Sequence, residues 1–361
     1  MSLELTLLFT YRNRELERVK TAMDSLVTQV DSNFSVLFID YGSSLPHSKA
    51  LQELLNNYPF VTYFYSYHID QPWSRAKAVN IGIQLVTTQY VFVADIDMIF
   101  KSNFVEVMHK VKQPMCSVYF KVGFLSQKES CNIRAFDDYI ISFSSKKGAQ
   151  GLSLFPVEAL KKVRGFGEFF HFWGAEDEDV HQRLAQAGYQ ISFYEEEILM
   201  LHRWHPTFRS LERDTLTKEL QIKAISKLNE QYFFKNRDKK LVVVNSEIWG
   251  KSISKEAYET LMDVRIDSVI LNNKEYIDYF LFVELPRLKD GIISVEFRAN
   301  PYQNGLKYFL KKKIGKSVPS YYNLKEINDL LLLHLVSFYS NSIYSYTISD
   351  DLKSIQLRLK K

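Results

Sequence analysis

The sequence predicts an α/β fold, a mostly parallel sheet with helices on both faces, followed by a smaller α/β or α+β domain. Three observations predict it. Short, almost wholly apolar runs of strand character alternate with segments of helical period through the first hundred residues, and strands apolar on both sides belong in parallel sheets covered on both faces. Acidic and basic residues collect at the ends of those runs, where α/β sheets bind ligands. The chain has 361 residues, 46% hydrophobic and 14% aromatic, enough to bury a large core and to exclude a disordered or fibrous protein.

The elements follow in order. "LELTLLFTYRNR" is an apolar strand entering a polar loop, and Leu16, Val19, Met23 and Leu26 then recur at helical spacing. "FSVLFIDYGSS" is a second strand ending in Asp40 and a Gly-Ser turn, followed by a helix around Ala50 to Leu55. "FVTYFYSY" leads to a helix from about Ser74 to Val86, and "YVFVADID" ends in Asp95 and Asp97. Arg12, Asp40, Asp95 and Asp97 should therefore converge on one crevice. From 100 to 205 the pattern loosens, except for a helix starting near Asp177 whose Val180, Leu184 and Ala187 share a face and which Gly188 stops. A helix over 211–234, a charged hinge "KNRDKK" at 235–240 and a strand starting in "LVVVNSEIWG" come next. "NDLLLLHLVSFY" reads as a buried helix and "SIQLRLKK" as a closing strand. The domain boundary falls at the hinge, giving domains 1–236 and 237–361, with acceptor binding, oligomerisation or partner docking open for the second.

Net charge is +4, and the basic residues are scattered except from Lys307 to Lys316. No broad basic face for nucleic acid is expected. That cluster reads first as a solvated surface, with peripheral contact of Lys311, Lys312 and Lys313 to an anionic membrane as the alternative. Two cysteines cannot build a disulfide framework, nothing at the N-terminus reads as a signal peptide, and the longest apolar run, at 330–336, is far below spanning length. A cytoplasmic home is the expectation.

Several stretches could carry chemistry. Asp95 and Asp97, two residues apart on a strand, would share a side and could hold a divalent cation, although such triplets also arise in turns. His202 and His205 in "LHRWHP" would tilt a carboxylate site from Mg toward Mn, or are simply packed histidines. "TYRNR" offers Arg12 and Arg14 to phosphate oxygens, and "WSRAKAVNIG" opens a helix with Trp73 and Arg75 beside an anion-friendly terminus. "FWGAEDEDV" places Glu176, Asp177, Glu178 and Asp179 side by side. Helix-dipole interaction and an Asp179 to Arg183 pair account for the last two. Capping does not account for the Trp-Gly-Ala-Glu-Asp that precedes them.

In order, "FTYRNR", "RAKAVNIG", "VFVADIDMIF", "GLSLFPVEALKKVRGFGEFFHFWGAEDEDVHQRLAQAGY" and the His pair resemble the β-1,4-galactosyltransferase family and its bacterial relatives among GT-A glycosyltransferases, over residues 5–210. The resemblance implies a GT-A fold, an inverting reaction, a UDP-sugar donor and Mn2+ or Mg2+. It implies donor contacts for Tyr11, Arg12, Arg14, Asp40, Trp73, Arg75 and Asp95, and metal ligation by Asp97, His205 and His202. Trp173 resembles a wall of the site, Glu176 the group gripping sugar hydroxyls, and Asp177 the catalytic base, kept ionised by the helix start. The expected acceptor is a glycan or lipid-linked glycan. "KKGAQG" departs from the family's aromatic-plus-glycine-pair pattern, with Gly148 and Ala149 there, which leaves the choice among galactose, glucose and N-acetylgalactosamine open. The rivals are a sugar nucleotidyltransferase, which would ordinarily carry a glycine-rich loop absent from "FTYRNR", and a glycan-binding scaffold with a decayed site.

Overall fold

In the computed structural model, residues 3–148, 150–206 and 212–361 are described. They form two compact units: one of residues 3–66, 74–206 and 226–252, the other of residues 67–73, 212–225 and 253–361.

In the first unit the expected alternation is present. Strand β1 (Leu5–Tyr11), helix α1 (Leu16–Val27), β2 (Ser35–Tyr41), α2 (Leu45–Leu55), β3 (Val61–Ser66), α3 (Arg75–Leu85) and β4 (Tyr90–Ala94) follow one another. All of β1 is buried, and all of β2 except its first residue is too. The α1 residues Val19, Ala22, Met23 and Leu26 pack against the core built on β1 and β2. Beyond β4 come β5 (Met98–Phe100), α4 (Phe104–Val111), β6 (Cys116–Phe120), β7 (Gly123–Leu125), β8 (Ile141–Ser144), β9 (Ser153–Pro156), α5 (Val157–Lys162), α6 (Glu176–Gln186), β10 (Gln190–Tyr194), β11 (Met200–His202) and α7 (Ile225–Asp238).

The main sheet has seven strands in the order β10-β6-β9-β4-β1-β2-β3, parallel except for β9. The chain runs outward from β1 through β2 to β3 and then returns to place β4 on the other side of β1. That reversal opens a crevice at the carboxyl ends of β1 and β4, the usual ligand position in such sheets. A smaller sheet, β5-β11-β7-β8, brings His202 opposite Met98, the residue that follows Asp97.

The second unit contains α8 (Lys255–Met262), β12 (Ser268–Leu271), α9 (Lys274–Tyr279), β13 (Ile292–Arg298), α10 (Leu306–Lys313), α11 (Leu324–Phe338), β14 (Ile343–Ile348) and β15 (Ser354–Lys360). Its mixed sheet has the order β12-β13-β15-β14. The buried helix expected in "NDLLLLHLVSFY" lies within α11 and is opened by a capping box of Asn323 and Glu326. The closing strand is β15. Among the described residues no helix is long and apolar enough to cross a membrane.

Three expectations for the middle of the chain are corrected. The helix expected over 211–234 covers 225–238 instead, residues 212–224 are not regular helix, and residue 211 lies outside the described residues. The stretch 235–240 is therefore not a hinge, since its first four residues complete α7. Residues 241–250 form no strand, and their polar groups bond to the rest of the first unit. Asn245 Nδ2 donates to the carbonyls of Arg164 and Phe166, both at 2.6 Å, and the Gly250 amide donates to Glu168 at 2.7 Å. The compact units thus differ from a single cut at 236/237, because side-chain to backbone bonds hold 241–252 in a way that hydrophobic period does not report.

The acidic run shows how the helix sorts its residues. Asp179 is not a solvated helix-start acid: it is 1% exposed and accepts from Arg183 Nε at 2.7 Å and from Asn236 Nδ2 at 3.1 Å. The remaining guanidinium nitrogens of Arg183 donate to the carbonyls of Val163 and Gly165. A buried pair so fully bonded contributes little net stability, yet removing one partner strands the other charge. Asp179→Ala is expected to destabilise the protein by about 3–5 kcal/mol, read as a lower midpoint in urea unfolding.

Candidate active site

The site is built from the ends of elements. Asp95, Ile96 and Asp97 form the turn between β4 and β5, not a continuing strand. The period-two rule therefore does not apply, and the two carboxylates turn to different partners. Asp95 Oδ1 accepts from Arg75 Nε at 3.0 Å. Asp97 turns toward the segment after β11, where His205 Nε2 lies 3.1 Å from its Oδ2 and His202 Nε2 lies 3.6 Å from its Oδ1.

Asp97, His202 and His205 present ligand atoms all within 4.8 Å of one another. Asp97 Oδ1 is buried without a hydrogen-bond partner, an arrangement that is costly unless a cation completes it. His205 Nδ1 donates to the Pro206 carbonyl at 2.9 Å, which fixes the ring and leaves Nε2 aimed at Asp97. His202 rests against Phe124, centroids 4.9 Å apart, and Phe124 in turn stacks on Phe143 at 4.7 Å. The histidine segment is tied to the aspartate turn by the Arg203 amide, which donates to the Asp97 carbonyl at 2.9 Å. The Arg203 side chain donates to the Ser130 carbonyl and to Thr21 Oγ1. One carboxylate and two imidazoles suit a divalent ion of borderline softness. Arg18 lies 3.9 Å from Asp97 Oδ2 and is the cation already beside it.

The second half of the site is a cleft of about 310 Å³ lined by Trp173, Glu176, Asp177, Gly148, Gly151 and Glu230, among others. Its floor is organised by Arg75 at the start of α3. The helix is capped by Ser74, which accepts from the Lys77 amide. From there Arg75 donates to Asp95, to Asp177 Oδ1 at 2.9 Å and to the Gly151 carbonyl at 3.0 Å. Burial works against the guanidinium charge, but Asp177, Asp95 and Glu176 more than offset it.

The wall is held in an unusual backbone. Phe172 and Ala175 have positive φ without being glycine (62° and 67°), beside Gly174 at 113°. Such conformations cost energy unless the surroundings impose them. Asn229 of α7, fully buried, donates to the carbonyls of both His171 and Trp173 at 3.0 Å and pins the loop. Trp173 stays 45% exposed as a side of the cleft. Glu176 Oε2 accepts from the Gly174 amide at 3.1 Å.

Burial pushes the Glu176 carboxyl up to about 7, helped by the Asp177 charge and opposed by Arg75. Asp177 is shifted upward too, where the helix dipole alone implied a low value. Burial is the largest cause, and Arg75 opposes it while Asp95 adds to it. Glu178 is exposed at the rim of the cleft.

Of the expected site residues, Asp95, Arg75, Trp173, Glu176 and Asp177 come together in this half, and Asp97, His202 and His205 in the other. Arg12 and Arg14 are in the loop after β1. Arg12 Nε donates to the Gly42 carbonyl at 3.3 Å and its guanidinium lies over the Tyr41 ring, while Arg14 is exposed. The structure does not bring Tyr11 and Asp40 to the cleft lining. Tyr11 is buried with its hydroxyl on the Arg14 carbonyl, and Asp40 is fully buried, accepting from the Ser43 amide and the Tyr63 hydroxyl. Trp73 falls in segment 67–73 of the second unit. Gly148 lines the cleft with open space where a side chain would begin, and Ala149 lies outside the described residues. Asn229, Arg203, Ser130 and Gly151 escaped sequence reasoning. A glycine or asparagine in a loop has no period, and only a partner gives it meaning.

Residues 7–119 match the model of glycosyl transferase family 2, and residues 132–205 match that of the N-terminal domain of galactosyltransferase. Both models describe glycosyltransferases, and the two matched segments follow one another along the first unit. Within that class it resembles the galactosyltransferases, through the segment that carries the acidic helix and the His pair. Similar solved structures include S. aureus TarS, with 14% identity and a TM-score of 0.41 over 56% of this chain and 37% of that one. GalNAc-T7 with UDP, GalNAc and Mn2+ has 12% identity and a TM-score of 0.45, over 71% of this chain and 54% of the other. The catalytic domain of Drosophila beta1,4galactosyltransferase 7 with xylobiose has 16% identity and a TM-score of 0.39, over 63% and 79%. The chain thus covers 37% and 54% of the lengths of the first two.

Two outcomes follow from this geometry. Asp97→Ala should weaken divalent-cation binding by roughly 100-fold or more in calorimetric titration, since it removes the only carboxylate of the described cluster. Because folding raises the Glu176 pKa, its contribution to stability is present below about 4.5 and is lost as pH rises through about 7. Thermal melts of Glu176→Gln should therefore fall less than those of the parent protein across that window.

Proposed function

We propose that this chain transfers a hexose or N-acetylhexosamine, galactose-type first, from a UDP-sugar to a hydroxyl of a glycan or glycolipid, with inversion and with Asp177 as general base. The observation that carries this reading is the position of Asp177: at the entry of α6, inside the cleft, with Oδ1 held by Arg75 and Oδ2 without a hydrogen-bond partner among the described residues.

Arg75 fixes Asp177 Oδ1 and so aims Oδ2. That oxygen lies toward Gly151, where an added Cβ would stand 3.3 Å away, so the glycine keeps the approach open. An acceptor hydroxyl bound there attacks the anomeric carbon. As the new C–O bond forms, the bond to the diphosphate breaks and its electron pair leaves with the nucleotide, while the acceptor proton passes to Asp177. Attack opposite the leaving group inverts the centre, and a single carboxylate is then enough. Glu176, titrating near neutrality, can donate to or accept from hydroxyls of the transferred sugar, and Trp173 offers a flat apolar face to a sugar ring.

Asp97, His202 and His205 would hold the divalent ion, Mn2+ or Mg2+, which supplies neutralisation of charge on the departing diphosphate. Arg12 and Arg14, in the loop at the carboxyl end of β1, would meet the nucleotide phosphates. A reducing, cytoplasmic setting, in which Cys116 and Cys131 would remain thiols, is part of the same reading.

The test is a panel of UDP-sugars with Mn2+, scored for transfer to simple glycosides. One donor should turn over, and turnover with none of them would overturn the proposal. Asp177→Asn should lower kcat by about 10²–10⁴-fold while donor and Mn2+ binding persist. An Asn variant of undiminished activity removes Asp177 from the role of base.

A further inference from the structure

Helix α10 in the second unit carries its apolar side outward. Leu306 is 76% exposed, Phe309 56%, Leu310 53% and Ile314, just past the last turn, 64%. At about 100° per residue these four occupy an arc of roughly 140°, and Tyr308 lies almost diametrically opposite. Tyr308 is the residue that faces the body of the unit, its ring 5.8 Å from Tyr302 and 5.7 Å from Tyr321. An ordinary surface helix turns its apolar stripe to the core. This one does the reverse.

The charge on the same helix restricts what can cover that face. On the same wheel Lys307 and Lys312 flank the apolar arc, Lys311 lies on the side toward Tyr308, Lys313 falls within the arc at the end of the helix, and Lys316 follows. The sequence places no Asp or Glu between Glu296 and Glu326. The occupant must therefore be apolar and anionic at once. A second copy docked by the same face would set these lysines against each other. Nucleic acid supplies phosphates but no apolar layer for Leu306 and Leu310. An anionic lipid bilayer supplies phosphates at the level of the ammonium groups and acyl carbon just beneath, which lysine stems reach by extending along the apolar surface.

We propose that α10 is an interfacial anchor that lies on an anionic lipid bilayer, with Leu306, Phe309, Leu310 and Ile314 inserted and the lysines among the headgroups. The anchor is short, so binding is reversible and depends on both the apolar and the charged contribution. It places the enzyme at a membrane surface whatever its donor and acceptor prove to be.

The experiment is co-sedimentation of the full chain with vesicles of phosphatidylcholine alone, or mixed with phosphatidylglycerol. The protein should pellet with the mixed vesicles, far less with the neutral ones, and release at high salt. Leu306→Ser with Leu310→Ser, both at exposed positions, should leave the thermal melt unchanged and lower the partition coefficient by about tenfold or more. Lys311→Gln with Lys312→Gln should lower it by a similar factor and reduce its salt dependence. Phe309→Trp should add emission that shifts to the blue only with the mixed vesicles. Failure to pellet with those vesicles, serine variants that partition like the parent, or an emission added by Phe309→Trp that does not shift would overturn the proposal. So would a dimer, seen by sedimentation equilibrium, that Leu310→Ser abolishes. Turnover of a soluble acceptor should be equal in parent and serine variants, so loss of membrane binding is distinguishable from failure of the transferase reading.

Discussion

The arrangement of the cleft depends on one guanidinium. Arg75 reaches from the first residue of α3 to three elements distant in sequence: the turn after β4 through Asp95, the entry of α6 through Asp177, and the strand-leading loop through the Gly151 carbonyl. A planar group with five donors can hold two carboxylates and a carbonyl in fixed directions, which a lysine at the same place could not do. Without that charge, Asp95, Glu176 and Asp177 would crowd one recessed volume with nothing to balance them, and the local chain would have to open. The balance is incomplete, and this is the chemical point. Burial and mutual repulsion still raise Glu176 and Asp177, so the cleft holds carboxyl groups of heightened proton affinity beside an aromatic wall.

The same helix entry shows how a run of like charges can fold. Each step of about 100° turns the next acid in a new direction. Glu176 enters the cleft, Asp177 meets Arg75, Glu178 reaches the rim and Asp179 enters the core with Arg183. Two of the four work with a basic partner. The strained backbone from Phe172 to Ala175, pinned by Asn229, delivers the helix start at the angle that makes this sorting possible. The aspartate turn is divided in the same way. Asp95 belongs to the guanidinium and Asp97 to the imidazoles, so two residues that look equivalent in sequence serve separate halves of the site.

The sequence by itself determined the alternating α/β frame, because apolar period and strand-end polarity are local properties. It singled out the acidic helix, the aspartate pair and the His pair, because their order is rarer than any one of them. It placed Asp97 with His202 and His205 through family resemblance. It misjudged the stretch from 211 to 250, where low hydrophobic contrast hid a shorter helix and a strandless segment held by Asn245 and Gly250. Tertiary structure alone decided the rest: that Asp179 is buried, that Asp177 is raised and not lowered, that Asp40 is already bonded to Ser43 and Tyr63, and that α10 turns its leucines outward. The physical reason is common to all four. Periodicity says which face of an element is apolar, whereas burial, charge pairing and proton affinity depend on what stands across from each side chain, and residues far apart in the chain supply that.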